Sequence, residues 1–458
     1  QRLPVVEKIE PNYIYEAYEK PNEMLFVKMW GLNNTGQAND NMSHGLAGVD
    51  IGAIEAWKIT TGQKKVIVAV VDTGLSQDNL DFIDNLWVNE GELNGVDGLD
   101  DDANGYVDDI HGWNFINETN SYQDNFGHGT HVSGVIGAMG NNSMGTVGVA
   151  WHASLMPLKA LNDSGTGTLS QAVAAINYAI QMKAQIINCS WGSSVKSDLL
   201  EDVIQTASKA GILFVAAAGN NHYNNDLKPI YPASYNVDNV ISVAAVDARG
   251  ELGSFSNFGK KSVHIAAPGV SILSTVGKGV ATMSGTSMAA PHVAGAAVLL
   301  LSEEPNLDAV ALKKRMMTTA ASLETLRNIT RSGLLKVDRA LKKQNSFDNS
   351  EDAFFWDKHI QKSISTAHPY LPNTRFEFVV EEPKARRMSV YFHRFQSERN
   401  NDVVVFYDRQ GKKIREMSGS LDNTWSEPFE ENYLKIVFSS NGFRQNYGFD
   451  LTEVAYQE

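Results

Sequence analysis

The sequence predicts an α/β fold, a parallel sheet with helices on both faces, followed by a smaller antiparallel β-sandwich. Three observations carry that expectation. Between Lys65 and Leu341, short β-branched runs alternate with small-residue stretches of helical length, the pattern of a parallel sheet layered between helices. From Asn345 to Asp352 the chain turns polar and poor in apolar residues. From Phe354 onward it is dense in aromatics, with alternating strands separated by turn residues. At 458 residues with 43% hydrophobic content, the chain can bury one large core and a second, smaller one.

In chain order the expected parts are an N-terminal arm over 1–20, the α/β domain over 21–345, a linker over 346–355 and the sandwich over 356–458. Met29-Trp30-Gly31-Leu32 and Ile54-Glu55-Ala56-Trp57 lead into the α/β domain. Its strands are expected at Val66 to Val71, Ser154 to Lys159, Gln185 to Cys189, Ile212 to Ala217, Val240 to Val246 and Val263 to Ala266. Helices are expected at Ser170 to Met182, Asp198 to Ala210 and Met288 to Leu301, with Leu334 to Leu341 closing the domain. In the sandwich, Arg387 to Phe392, Asp402 to Tyr407 and Tyr433 to Phe438 read as strands.

Composition narrows the function. The net charge of −14 and pI near 5.3 argue against a nucleic-acid partner and describe a solvated surface. Nowhere do about 18 apolar residues run together, so no membrane span is expected. A single cysteine, Cys189, excludes an intrachain disulfide framework. The chain starts at Gln1 without an apolar leader, which reads as a processed form whose targeting signal is absent.

The chemistry concentrates in three stretches. In Gly285-Thr286-Ser287-Met288-Ala289-Ala290-Pro291-His292-Val293-Ala294-Gly295, a small-residue turn delivers Ser287 to the start of an apolar helix, whose N-terminal N–H groups favour an anion. A serine hydroxyl is a weak nucleophile alone and requires a base and a group that orients the base. Val70-Val71-Asp72-Thr73-Gly74 places the Asp72 carboxylate at the C-terminal edge of a strand, where α/β sheets carry their sites. Asn125-Phe126-Gly127-His128-Gly129-Thr130-His131-Val132-Ser133-Gly134 sets His128 between glycines at the opening of a second helix.

These stretches, in the order Asp, His, Ser, resemble the motifs of the subtilases, the subtilisin-like serine peptidases, over roughly Val5 to Leu341. The resemblance implies a serine endopeptidase that acts on proteins or peptides. Asp72 would orient His128, His128 would take the Ser287 proton, and Asn220, at the end of Ala216-Ala217-Ala218-Gly219-Asn220, would donate to the oxyanion with the Ser287 N–H. Ser190-Trp191-Gly192 and Ala217-Ala218-Gly219 would wall the S1 pocket, with Ile230 at its floor. Gly165-Thr166-Gly167 would pair with the substrate backbone, and Leu169 and Ala172 would line S4. Ile230 and Asn221 together imply a medium-sized apolar P1 residue. His131 and His292 lie in the same motifs and are expected to pack in the core. Val5 to Tyr15 resembles the closing strand of the family's inhibitory propeptide, which implies a secreted zymogen, expected to be a monomer.

Asp100-Asp101-Asp102-Ala103-Asn104-Gly105-Tyr106-Val107-Asp108-Asp109 holds five carboxylates around a D-x-D-x-N-G pattern, the first half of a calcium loop. The expected Ca²⁺ ligands are Asp100, Asp102, Asn104, Tyr106 and Asp109, with Asp108 an alternative to Asp109. By resemblance, Asp81 and Asn142 would hold a second Ca²⁺ with carbonyls of Met139 to Thr146, Gln37 being a further candidate. In the last domain, the sequence around Phe395 to Tyr407, Phe438 to Asn441 and Tyr447 to Phe449 resembles a CUB domain without its disulfides. By that resemblance Glu398, Asp402 and Asn441 sit where calcium-binding CUB domains carry ligands, but with one of them an amide they read as surface polar residues. Two other readings stand beside the peptidase: a scaffold on an inactive subtilase fold, which the intact Asp72, His128, Ser287 and Asn220 disfavour, and a carboxylate-based sedolisin-type enzyme, which the complete His128 motif disfavours.

Overall fold

A computed structural model describes residues 20–38, 44–344, 358–398, 401–419, 424–426, 429–441 and 445–457. The propeptide-like segment and the linker lie outside the described residues. The chain divides into two compact units, 1–344 and 345–458.

In the first unit a seven-stranded sheet is built from β1 (Gly62–Asp72), β2 (Trp113–Asn114), β3 (His152–Lys159), β4 (Ile186–Cys189), β5 (Leu213–Ala217), β6 (Val240–Val246) and β7 (Ile265–Pro268). Their order is β2-β3-β1-β4-β5-β6-β7, and every pairing is parallel. Strands β4 to β7 are buried at every residue, as sheets covered on both faces require. The helices are α1 (Ala53–Trp57), α2 (Glu90–Leu93), α3 (His128–Gly137), α4 (Leu169–Gln181), α5 (Asp198–Lys209), α6 (Thr286–Glu303), α7 (Ala309–Thr319) and α8 (Val337–Leu341).

Side chains alternate across a strand, so each face of the sheet meets its own helices. Ala69, Val71, Met156, Leu158, Ile187 and Phe214 pack with Ala175, Ile176 and Ala179 of α4 and with Val203 and Ile204 of α5. Helix α6, buried from Thr286 to Ser302, runs against β1, β4, β5, β6 and β7, and α3 packs beside it. A helix that is apolar on every side belongs inside, and here it carries the serine motif into the centre of the unit.

Several boundaries differ from expectation: β1 begins at Gly62 rather than Val66, β3 at His152 rather than Ser154, and the strand expected to end at Phe392 runs on to Gln396. The serine helix starts at Thr286, with Gly285 as N-cap, so Ser287 lies inside the first turn rather than before it. Strand β7 falls two residues later than expected, because the Val263 N–H bonds back to Gly259 and the pairing with β6 begins at Val243 and Ile265. The last helix starts at Val337, since Leu334 and Leu335 are drawn into backbone bonds with Ala321 and Ala266. A hairpin of β8 (Ile272–Val276) and β9 (Gly279–Met283) was not foreseen.

The second unit holds two four-stranded antiparallel sheets. One orders β10 (Lys358–Ser365), β17 (Gly448–Gln457), β12 (Arg387–Gln396) and β15 (Thr424–Trp425). The other orders β11 (Arg375–Glu381), β16 (Tyr433–Ser439), β13 (Val403–Tyr407) and β14 (Lys413–Met417). Phe392, Phe395, Phe449 and Leu451 of the first share one core with Phe406, Leu434, Ile436 and Phe438 of the second.

Candidate active site

At the C-terminal edge of β1, Asp72 is fully buried, and its Oδ1 accepts bonds from His128 Nδ1 at 2.7 Å and from the Thr73 N–H at 2.8 Å. Two glycines make that approach possible. A Cβ on Gly129 would fall 2.2 Å from the Gly74 carbonyl, and one on Gly74 would fall 2.1 Å from the Tyr122 carbonyl. The D-T-G and H-G-T motifs therefore hold glycine because the two backbones lie against each other. Asp124, which sequence reasoning passed over, braces the same turn. Its buried carboxylate accepts the Phe126, Gly127 and Thr130 N–H groups and the Thr130 hydroxyl, fixing the first turn of α3.

Burial alone would lower the His128 pKa, but the charge and hydrogen bond of Asp72, helped by the charge of Asp124, hold it above the usual histidine value. His131 and His292 behave differently. His131 Nε2 donates between the Ile272 and Ala281 carbonyls, and His292 Nδ1 donates to the Met288 carbonyl at 2.8 Å. Burial drives both down to about 4, so they stay neutral inside the fold.

Ser287 is nearly buried in the first turn of α6, and its hydroxyl donates to the Ser190 carbonyl at 2.9 Å. Ser190 Oγ returns a bond to the Ser287 carbonyl at 3.0 Å, locking the end of β4 to the start of α6. Asn220 comes to the same place from the end of β5. Its side-chain oxygen accepts both the N–H and the hydroxyl of Thr286, at 2.8 and 2.9 Å. With the oxygen so engaged, the amide's NH₂ is left to face the cleft. Thr286 was missed from sequence; its place between Gly285 and Ser287 was the available signal.

A cleft of about 420 Å³ opens beside Ser287, lined by Ser190, Trp191, Gly192, Ala217, Gly219, Asn220 and Ile230 among others. Ala218, expected in its wall, turns instead into a core cluster with Ala244 and Val263. Ile230 spans the cleft: a Cβ on Gly192 would lie 2.9 Å from Ile230 Cγ2, and one on Gly219 3.5 Å from its Cγ1. A second groove of about 390 Å³ joins Gly165, Thr166, Gly167, Leu169 and Ala172 to Trp191, Val195, Leu200 and Tyr231. Thr166 is tied to its own exposed loop, its N–H and hydroxyl on Asn162 Oδ1 and its carbonyl on the Asn162 N–H.

The acidic stretch folds against α2. Asp102 and Asp109 meet Glu92, which the sequence reading missed, each offering a carboxylate oxygen within 4.8 Å of the others. Among the described residues none of the three is ion-paired, and Asp109 is fully buried, which raises its pKa. Asp100 is turned to the N–H groups of Asn104 and Gly105. The Tyr106 ring packs on Trp113, Phe115 and Tyr178. Asn104 donates to Asp102 and Asp109.

Asn142 donates to Asp81 at 2.7 Å, and the Thr146 N–H donates to the other Asp81 oxygen. Gln37 is not part of this group, since its side chain is spent on Thr35 and Asn33. Glu23 takes that place. Its Oε1 accepts the Asn142 N–H at 2.9 Å, and its buried Oε2 has no partner. In the second unit Asp402 is buried rather than on the surface, with Tyr370, the Asn441 N–H and, through Asn441, Glu398 around it.

Comparison with known proteins meets this geometry. Residues 63–352 match the model of the subtilase family. The chain is 34% identical over 357 residues to "Subtilisin-like protease 1" of Plasmodium berghei, covering 73% of this chain and 59% of that protein. It is 37% identical to the "Thermophilic serine proteinase" of Bacillus sp. strain AK1, with coverages of 66% and 65%. Against "Subtilisin DY" of Bacillus licheniformis it is 42% identical, with 47% of this chain aligned to 77% of that protein. The chain thus spans about half to two thirds of the first curated relatives it matches. With a family match across the sheet and over the Asp72, His128 and Ser287 stretches, the chain belongs to the subtilase family.

Proposed function

We propose that the protein is a serine endopeptidase whose nucleophile is Ser287. The observation that supports this most is one constellation: His128 bound to a buried Asp72, and Asn220 pinned by its oxygen to the residue before Ser287. When a peptide carbonyl enters, the Ser287 hydroxyl turns from the Ser190 carbonyl to His128, which takes its proton as Oγ attacks. The new oxyanion receives the Asn220 NH₂ and the Ser287 N–H, groups already fixed in place before reaction. His128, now an imidazolium stabilised by Asp72, gives its proton to the leaving amine. It then takes a proton from the water that hydrolyses the acyl-enzyme.

Ile230 limits the depth of S1, and no acidic side chain lines that cleft, so a medium apolar P1 residue fits better than Lys or Arg. Gly165 C=O and Gly167 N–H have no partner among the described residues, which suits pairing with an extended substrate, while Thr166 is occupied within its own loop. Calcium fits two places. Glu92, Asp102 and Asp109 would hold one ion with Asn104, and the unpartnered Glu23 oxygen with Asp81 and Asn142 would hold another. Bound there, the ion supplies charge neutralisation to buried carboxylates and takes no part in the chemistry. The second unit reads as a CUB-like sandwich, and the protein as a secreted enzyme restrained by its own propeptide.

A fluorophosphonate probe, applied in calcium to wild type and Ser287→Ala, tests the reading. Labelling of wild type alone, followed by apolar P1 residues in a peptide-library digest, is the expected result. No labelling of folded, calcium-loaded wild type would instead favour the scaffold.

A further inference from the structure

We infer that Asp163 is a positioning residue, a charged tie that sets the substrate-pairing edge at Gly165–Gly167 relative to Asp72 and His128. The inference rests on the peptidase reading above. Lys159, at the end of β3, is buried, and its ammonium donates to the Thr73 carbonyl and to Asp163 Oδ1, both at 2.7 Å. The other Asp163 oxygen accepts Asn125 Nδ2 at 2.9 Å. The Lys159–Asp163 pair therefore joins three segments: the turn after Asp72 through Lys159, the loop that leads to His128 through Asn125, and the loop between β3 and α4 that carries Asp163.

That last loop is well ordered within itself. Asn162 Oδ1 accepts the N–H groups of Ser164 and Thr166, and the Gly165 N–H bonds to the Asn162 carbonyl. Such a loop moves as a body unless something outside holds it. Asp163 is half-exposed, but Lys159 is not, and a buried ammonium with only a carbonyl for company favours the carboxylate strongly. The hydrogen bonds from Lys159 and Asn125 hold the Asp163 carboxyl below the usual range, so the tie persists through neutral pH. Next to Asn125, the ring of Phe126 lies over Gly165, where a Cβ would come within 3.1 Å of it. The tie thus also sets how closely Phe126 covers the edge on which the substrate would lie.

The test compares a four-residue peptide anilide, long enough to use the edge, with a single-residue ester that is not. For Asp163→Ala we expect KM on the peptide to rise about tenfold, the size of one lost charge-assisted hydrogen bond, with kcat within about twofold. The ester and the rate of fluorophosphonate labelling should stay at wild-type values. Asn125→Ala, which keeps the Lys159 partner, should show a smaller change of the same kind, and the double variant should fall short of the sum. Should Asp163→Ala fail to fold, Asn125→Ala carries the comparison alone. Equal losses on peptide and ester, or no change on either in an enzyme that labels normally, would overturn the inference and leave the peptidase reading intact. Absence of labelling in wild type would instead overturn both.

Discussion

Asn220 and Thr286 act as one device at the level of single residues. An amide can serve an oxyanion only if its NH₂, not its oxygen, faces the substrate. Here Thr286 settles that choice by giving two hydrogen bonds to the oxygen, while its own hydroxyl accepts the Gly219 N–H at 3.1 Å. Asn220→Ala is therefore expected to lower kcat by about 10²–10³, a magnitude known from subtilisin itself, with KM nearly unchanged. Thr286→Val keeps the shape and one of the two bonds, so kcat should drop by roughly tenfold. A Thr286→Val enzyme with wild-type kcat would show that the amide needs no such support. His128 gives a second expectation. Because Asp72 and Asp124 outweigh burial and raise its pKa, the base becomes free only above the ordinary histidine range. The acidic limb of kcat/KM should lie above pH 6.5 and move down in Asp124→Asn; a limb at or below 6.5 in wild type would contradict the assignment. Asp72, His128 and Ser287 were legible in sequence because each sits in a stretch whose neighbours are constrained too. Asp124 and Thr286 were not, since a cap or a brace is ordinary in isolation and gains meaning only from what it touches.

Among the elements, α2 and the acidic loop show what spacing can and cannot tell. The D-x-D-x-N-G pattern marks alternate oxygens, yet Asp100 bonds its own loop and the convergent carboxylate is Glu92, on a short helix eight residues upstream of it. Glu92 is buried and takes the N–H groups of Asp101, Asp102 and Asp108, so it organises the loop as well as adding charge. A long-range contact of this sort leaves no periodic trace. Three converging carboxylates without an ion pair repel one another, and a bound cation would remove that cost. Chelation with EDTA should lower the melting temperature by several degrees, since binding to the native state alone adds stability by mass action. Glu92→Gln should remove part of the calcium response, and Glu92→Gln with Glu23→Gln nearly all of it. An EDTA-insensitive wild type would remove both sites. The strands were easier: β4 to β6 could be read from their β-branched runs to within a residue, because a doubly covered parallel strand leaves no polar face to confuse the pattern. The β8 and β9 hairpin escaped notice, since Ser274, Thr275, Thr282 and the glycines between them blur the alternation that marks an exposed pair.

For the whole molecule, the two units have separate cores, and the histidines that matter for acid stability belong to the first. His131 and His292 lie on α3 and α6, the two helices that carry His128 and Ser287, and each is fully or nearly buried. Burial holds both near a pKa of about 4, against about 6.5 in the unfolded chain. Their neutral state favours the fold fully above pH 6.5. Between pH 6.5 and 4 the unfolded chain binds these protons and the native one does not, so stability falls as pH falls. With His264, fully buried and held by burial well below the usual histidine value, three such groups give a slope of up to about 4 kcal/mol per pH unit. In calcium, chemical denaturation should show the first unit losing stability between pH 6.5 and 5, with an uptake approaching three protons on unfolding, one each at His131, His264 and His292. His292→Gln, which preserves a donor to the Met288 carbonyl, should lower overall stability but reduce that uptake by about one. A flat profile over this window would mean that these rings are protonated inside the fold. The helices that hold His128 and Ser287 would then have to accommodate buried positive charge.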